Sequence, residues 1–267
     1  MQPDVTIRQK RPSLSIQISA VHALFMREIL TRFGHYRLGY LWAIIEPAIH
    51  VCFMLLLLGG LSKHTIPGID YSVFLIAGIL PWFMFSNSVN RALGAVEGNK
   101  GLFHYRVIRP VDTIISRVAL EAVIYIFCFM FFLMGLFFFG IDLSVSHIPL
   151  LFLCWFGMIA LSFSVSLIMM VIGSYSQEIE KIVNAVMRIL YFASGIVFSV
   201  HMVPVKYQGY ILWNPVVHGI ETMRYALSPS YPIHHVSLVY FFGSIIILLL
   251  LGLLMYRARE KAMLTTS

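Results

Sequence analysis

The sequence predicts an all-α integral membrane protein with six transmembrane helices. Hydrophobic residues make up 59% of the 267 residues and charged residues only 12%, about half the share found in water-soluble domains, roughly 25%. Such a chain lacks the polar surface to cover a body in water. Its apolar residues gather into runs of about 20, the length that crosses a bilayer as a helix. The runs are continuous rather than alternating, which excludes the strands of a barrel. We read one membrane domain: a basic arm and interfacial helix over 1–38, a six-span bundle over 39–256 and a tail over 257–267.

The spans lie near Gly39–Leu61, Ser72–Val96, Thr113–Phe139, Pro149–Ser174, Ile182–Val200 and Val236–Tyr256. Basic residues concentrate in cytoplasmic loops. With the N-terminus inside, sixteen of the nineteen Lys and Arg face the cytoplasm, and only Lys63, Lys206 and Arg224 fall outside. Both termini are therefore expected in the cytoplasm. The same bias explains the net charge of +7 without nucleic acid, because the cytoplasmic leaflet is itself anionic. The opening MQPDVTIRQKRP leads into no apolar h-region or cleavage site, so no cleaved leader is expected. Cys52, Cys128 and Cys154 sit in apolar runs with no metal-ligand or disulfide spacing, and read as small buried hydrophobes.

Three segments lie outside the spans. In Ser13–Leu38, residues Leu14, Ile18, Val21, Phe25 and Ile29 recur at steps of three or four, one face of an amphipathic helix. Gln17, Arg27, Glu28, Thr31 and His35 fall elsewhere. The helix is expected at the membrane interface with its apolar face in the acyl boundary, or against a soluble partner. In Glu97–Asp112, glycines and Pro110 punctuate a mixture of apolar and basic residues. A loop of that kind suits lipid headgroups and suits a docking knob equally. His201–His235 is too long for a simple turn. It carries Tyr207, Tyr210, Trp213, Tyr225 and Tyr231, side chains of the membrane–water interface. Asn214 followed by Pro215 is a helix start. A helix Pro215–Leu227 places His218, Glu221 and Arg224 on one face, closed by Pro229 and Pro232. Short re-entrant helices are expected before the last span. Trp213, His218, Glu221 and Arg224 are candidates for a periplasmic gate, beside the plainer role of interface anchors.

Ionisable groups within a span are expensive and mark candidate pathways. Glu46 lies two turns into the first span, Asn87 and Arg91 in the second, and Arg188 in the fifth; these four are candidates for an inward-facing vestibule. Arg117 and Glu121 stand four apart in the third span and are expected to pair with each other. Phe131, Phe132, Phe137, Phe138 and Phe139 crowd the third span and read mainly as lipid- or helix-facing. The chain has no G-x-x-x-x-G-K-[ST] loop, no H-E-x-x-H and no G-x-S-x-G, which argues against an enzyme. Nor does it show the paired broken helices of ion-coupled carriers. A subunit driven from outside fits better.

The run RFGHYRLGYLWAIIEP resembles the opening signature of type-2 ABC export permeases. There a basic interfacial helix leads into L-G-x-x-W-x-x-x-E-P, here Leu38, Gly39, Trp42, Glu46 and Pro47. GILPWFMFSNSVNRALGAVEGN, from Gly78, resembles the family's second span and its exit. NPVVHGIETMRYAL, from Asn214, resembles its segment before the last span. FHYRVIRPVDTIISRVALE and NPVVHGIETMRY are most similar to the capsular-polysaccharide branch, with O-antigen permeases as close neighbours. The resemblance implies a homodimer in a bacterial inner membrane, with the conduit between two copies. Two separate cytoplasmic ATPase subunits would hold ATP and Mg, so that this chain carries no cofactor. They would dock on the loop after the second span, through Leu102, Phe103, His104, Tyr105, Arg106 and Arg109. The cargo would be a lipid-linked anionic polysaccharide moved from cytoplasm to periplasm. A periplasmic co-polymerase and an outer-membrane export protein would pass it onward. Exporters of teichoic-acid-type glycans, or of small lipids and drugs, are the alternatives in the same family.

Overall fold

The computed structural model describes residues 13–34, 39–62, 66–104, 107–141, 145, 147–176, 178–233 and 235–265. Among them lie helices α1 (Ser13–Phe33), α2 (Gly39–Ser62), α3 (Tyr71–Leu93), α4 (Pro110–Phe138) and α5 (Ile148–Gly173). Then follow α6 (Ile179–Ala193), α7 (Val205–Ile211), α8 (Pro215–Leu227) and α9 (Leu238–Thr265). Short 3-10 helices occupy Glu97–Leu102 and Val200–Met202, and no strand occurs among the described residues.

Helices α3, α4, α5 and α9 are each long and apolar enough to cross a membrane. These correspond to four of the six expected spans. In α2 the apolar stretch is Leu41–Leu57. The expected fifth span, Ile182–Val200, is interrupted: α6 ends at Ala193 after 15 residues, about 22 Å of helix, and Gly195 turns the chain with φ +65°. A left-handed residue cannot continue a helix, and glycine adopts that conformation without a Cβ clash. Near the other end of the chain, α8 occupies the expected Pro215–Leu227. Its Asn214 cap accepts a hydrogen bond from the Val216 N–H at 3.1 Å.

The hub is α3, which touches α2, α4, α5, α6 and α8 and buries seventeen of its 23 residues. It is the least apolar of the four long helices, whereas α9, the most apolar, is the least covered. Lipid explains the inversion. An acyl chain is as apolar as leucine, so a lipid-facing helix gains nothing by hiding its side chains. Helices associate instead through close packing and polar contacts.

A large apolar cluster surrounds α3, and a second one gathers Ala95, Val96, Phe103, Ile114, Val118, Tyr256 and Met263. The second cluster lies at the end carrying Arg91, Lys100, Arg109 and Arg117, called here the basic end. With 29 residues α4 is about 43 Å long, well beyond a hydrocarbon core of about 30 Å. Its first turns, the 3-10 helix and the last turns of α9 pack as a foot below the bundle. Phe103 is 7% exposed within this foot. Replacing it with Ala should lower stability by about 3 kcal/mol, read as a fall in melting temperature of the detergent-purified chain. His104→Ala, on an exposed neighbour, should shift stability by less than about 0.5 kcal/mol.

Candidate functional site

The basic end is held together by charges that cross between helices. Glu121 of α4 is 1% exposed and its Oε1 accepts from Arg32 of α1 at 2.6 Å and from Arg91 of α3 at 2.9 Å. Arg117 pairs with Glu28 at 2.8 Å and also donates to the Arg91 carbonyl. The expected local pair Arg117–Glu121 does not form; each residue instead takes a partner from α1. Further along, Gln17 donates to Asp112, the Ser116 hydroxyl donates to the Val21 carbonyl at 3.2 Å, and Arg27 donates to Asn99. The contacts of Gln17, Val21, Glu28 and Arg32 with Asp112, Ser116, Arg117 and Glu121 advance together along both helices, so α1 runs parallel to the start of α4.

The polar residues Gln17, Arg27 and Glu28, expected away from the packed face, therefore point into the protein. Leu14 and Ile18 of the apolar stripe stay exposed, while Val21, Phe25 and Ile29 are half-buried. A charged group in an apolar setting needs a charged partner and hydrogen bonds. The facing helices provide both, and Leu14 and Ile18 on the apolar flank of α1 stay exposed.

At the opposite end, α8 carries a second network. Arg224 is fully buried. It donates to Glu221 at 2.8 Å and to the carbonyls of Gly195 and Ile196 at 2.8 Å each and of Phe74 at 3.3 Å. Its guanidinium carbon lies 3.4 Å from the centre of the Phe74 ring, a stacked cation–π contact. The second Glu221 oxygen accepts from the Tyr231 hydroxyl at 2.7 Å, and that hydroxyl lies 2.7 Å from Ser199 Oγ. An ionised carboxylate only accepts, so Tyr231 donates to it and Ser199 donates to Tyr231. Gly78 of α3 lies directly beneath: a Cβ there would stand 2.7 Å from Arg224 Nη2.

His218 is also buried. Its Nε2 lies 2.8 Å from the Leu212 carbonyl, and its Nδ1 accepts the Ser237 N–H at 3.0 Å. Those two partners fix the neutral tautomer, and burial accordingly holds its pKa below the usual imidazole value. Trp213 is 80% exposed. Of the four gate candidates, three are thus interior residues and one faces outward.

Phe74 and Arg91 stand at the two ends of α3, about 26 Å apart by helical rise. The same interval separates Glu121 from the end of α4, about 26 Å. Both fit one hydrocarbon thickness, so the charged networks bracket the apolar zone.

The vestibule candidates divide in the same way. Asn87 donates to the Tyr125 hydroxyl at 2.7 Å, and Arg91 belongs to the Glu121 network. Glu46 and Arg188 remain exposed. Glu46 lines a pocket of about 290 Å3 with Ile49, His50, Phe53 and Phe83. His50 Nε2 lies 2.9 Å from the Tyr191 hydroxyl, which joins α2 to α6, and its ring meets Phe83 edge-on. A carboxylate, an imidazole and two benzyl rings on one open face offer hydrogen bonds and apolar contact at once.

Pro47, next to Glu46, has no N–H for the Ala43 carbonyl four residues back. The Cys128 thiol of α4 supplies the donor at 3.6 Å. Pro47 alone tells that the Ala43 carbonyl needs another donor, but neither Cys128, 85 residues away, nor the His50–Tyr191 link, across 141 residues, was open to inference from the sequence.

In the loop after α3, Phe103 is a core residue, Leu102 is half-buried, and His104 and Arg109 are exposed. Tyr105 and Arg106 lie outside the described residues. Asp112 accepts the Arg109 N–H at 2.8 Å and caps α4 behind Pro110.

A buried hub helix, charged networks at both of its ends and a basic foot define a multi-pass helical transport subunit. The chain matches the ABC-2 type transporter family over residues 19–228 and belongs to it. It is 43% identical over 256 residues to the polysialic acid transport protein KpsM of Escherichia coli, covering 96% of this chain and 99% of that one. It is 30% identical over 254 residues to the capsule polysaccharide export inner-membrane protein BexB of Haemophilus influenzae, covering 94% and 95%. Against the O-antigen export system permease protein RfbA of Klebsiella pneumoniae, identity is 25% over 228 residues, covering 85% and 86%.

Two measurements test the networks. Glu121→Ala strands two guanidinium groups and should cost about 3–5 kcal/mol, seen as earlier chemical unfolding in detergent and faster proteolysis of α1. Arg224→Lys keeps the charge but loses the planar fork and the stack on Phe74. It should lower the melting temperature by an amount equivalent to about 3 kcal/mol; an unchanged melting temperature would discard the clamp.

Proposed function

We propose that this chain is the inner-membrane permease of an ATP-driven exporter that carries a lipid-linked capsular polysaccharide from cytoplasm to periplasm. Kinship over nearly the whole chain with permeases named for capsule polysaccharide export carries the reading. Nucleotide chemistry falls to a partner, since the sequence has no phosphate-binding loop. Two ATPase subunits would press on the basic foot, and the distribution of Lys and Arg supports a cytoplasmic position for the foot and both termini. The exposed His104 and Arg109 and the half-buried Leu102 would meet them, with Tyr105 and Arg106 in the same loop. Phe103 acts from inside, anchoring the loop to the foot so that a push on it is passed to α4 and α9.

Two copies of the chain would enclose the conduit. The pocket of Glu46, His50, Phe53 and Phe83 suits its wall, since a moving glycan needs weak, repeated contacts rather than one tight site. Arg188, exposed on α6, would add a cation for an anionic cargo. Trp213 and the α7–α8 segment would form the far mouth, where a periplasmic co-polymerase and an outer-membrane protein receive the polymer.

Deleting this subunit in its host should leave polysaccharide inside the cell and strip it from the surface. Normal surface glycan in a strain without a redundant permease would refute the reading and favour a small-amphiphile exporter. In the complemented strain, His104→Asp should reduce surface glycan at least tenfold while the permease remains folded and in the membrane.

A further inference from the structure

At the basic end a cleft of about 690 Å3 opens between the 3-10 helix Glu97–Leu102, the α5–α6 turn and the last turns of α9. Leu93, Val96 and Met263 contribute apolar walls. Arg259 of α9 lies over the ring of Tyr175, 4.1 Å from guanidinium carbon to ring centre. Its Nε is shielded from solvent and meets no acceptor among the described residues. Tyr175 itself is 61% exposed.

A guanidinium keeps its charge at any accessible pH, and a shielded N–H without an acceptor is costly. Stacking fixes the plane of the group, so its donors stand ready for a planar acceptor, and a carboxylate matches that geometry. The carboxylates nearby do not fill the role. Glu97 is engaged with Lys100 at 2.9 Å, and Glu180 lines the α6 rim without an ion pair to Arg259 among the described residues. An exposed tyrosine stacked with an arginine beside an open cleft is also the composition of a protein-binding hot spot.

We infer that this cleft is a socket for an acidic segment of the ATPase partner, a second docking contact beside the loop that follows α3. The inference rests on the ATPase-driven reading above. It adds that the α5–α6 turn and the end of α9 receive force directly, with Arg259 holding an Asp or Glu of the partner.

The test places a photo-crosslinking amino acid at Ser176, in the socket, and separately at His104, in the loop, within the full permease–ATPase complex in native membranes. Both positions should cross-link to the ATPase. Arg259→Glu should cut the Ser176 product at least tenfold and leave the His104 product within twofold, and Arg259→Lys should retain an intermediate yield. Cross-linking at His104 alone overturns the socket and leaves the ATPase reading standing. No cross-link at either position removes both. A Ser176 product indifferent to Arg259→Glu overturns the carboxylate contact.

Discussion

Hydrocarbon offers no partner to a charge, and the bundle is organised around that constraint. Among the described residues, the ion pairs between helices lie at the basic end of α3 and the buried Arg224–Glu221 pair within α8 lies at the other, the two ends joined by a shaft of close-packed apolar residues. An isolated charge in an apolar medium costs far more than a domain's whole stability, so each network has to be assembled from several segments at once. Arg224 needs α3, the turn after α6, and α8. Glu121 needs α1, α3 and α4. The chain order of the bundle follows from those requirements as much as from apolar packing, which lipid contact would satisfy equally well.

What was legible in the sequence was local. The α8 boundaries follow from Asn214, Pro215 and Pro229, whose effects reach one turn. The long apolar runs gave α3, α4, α5 and α9 because length and composition suffice. The break of the expected fifth span was not legible: Ile182–Val200 reads as one apolar run, and hydropathy does not register a left-handed turn at Gly195. Arg117 and Glu121 show the same limit from another side. Their spacing favours a local pair worth about 0.5 kcal/mol or less. Partners from α1, 89 residues away in sequence for both bridges, prevail. Phe103 lies in a loop whose basic and aromatic residues suggested a surface, and only the foot formed with α9 reveals that its ring is interior.

Helix α1 illustrates why periodicity predicts a helix better than its orientation. In water the apolar stripe would turn inward. Beside a membrane both faces can find a home, and the more demanding one decides. Arg32 and Glu28 have no equivalent of a bilayer to satisfy them away from water, whereas Leu14 and Ile18 do. The polar face therefore takes the protein.

The two buried carboxylates differ in a way that sets the mechanical character of each end. Both oxygens of Glu221 are engaged, one by Arg224 and one by Tyr231. Arg224 in turn has three carbonyls and a ring around it, so any displacement strands several groups together. Glu121 carries both of its guanidinium partners on Oε1, while Oε2 meets no donor among the described residues. A small rotation of α1 or α3 can pass one arginine from the first oxygen to the second without leaving a charge unpaired. Arg91 is already 39% exposed at its side chain, so water can cover part of it during such a move. The α8 end therefore resists deformation as a unit, and the basic end, where the foot and its cleft lie, has a second arrangement within reach at little electrostatic cost.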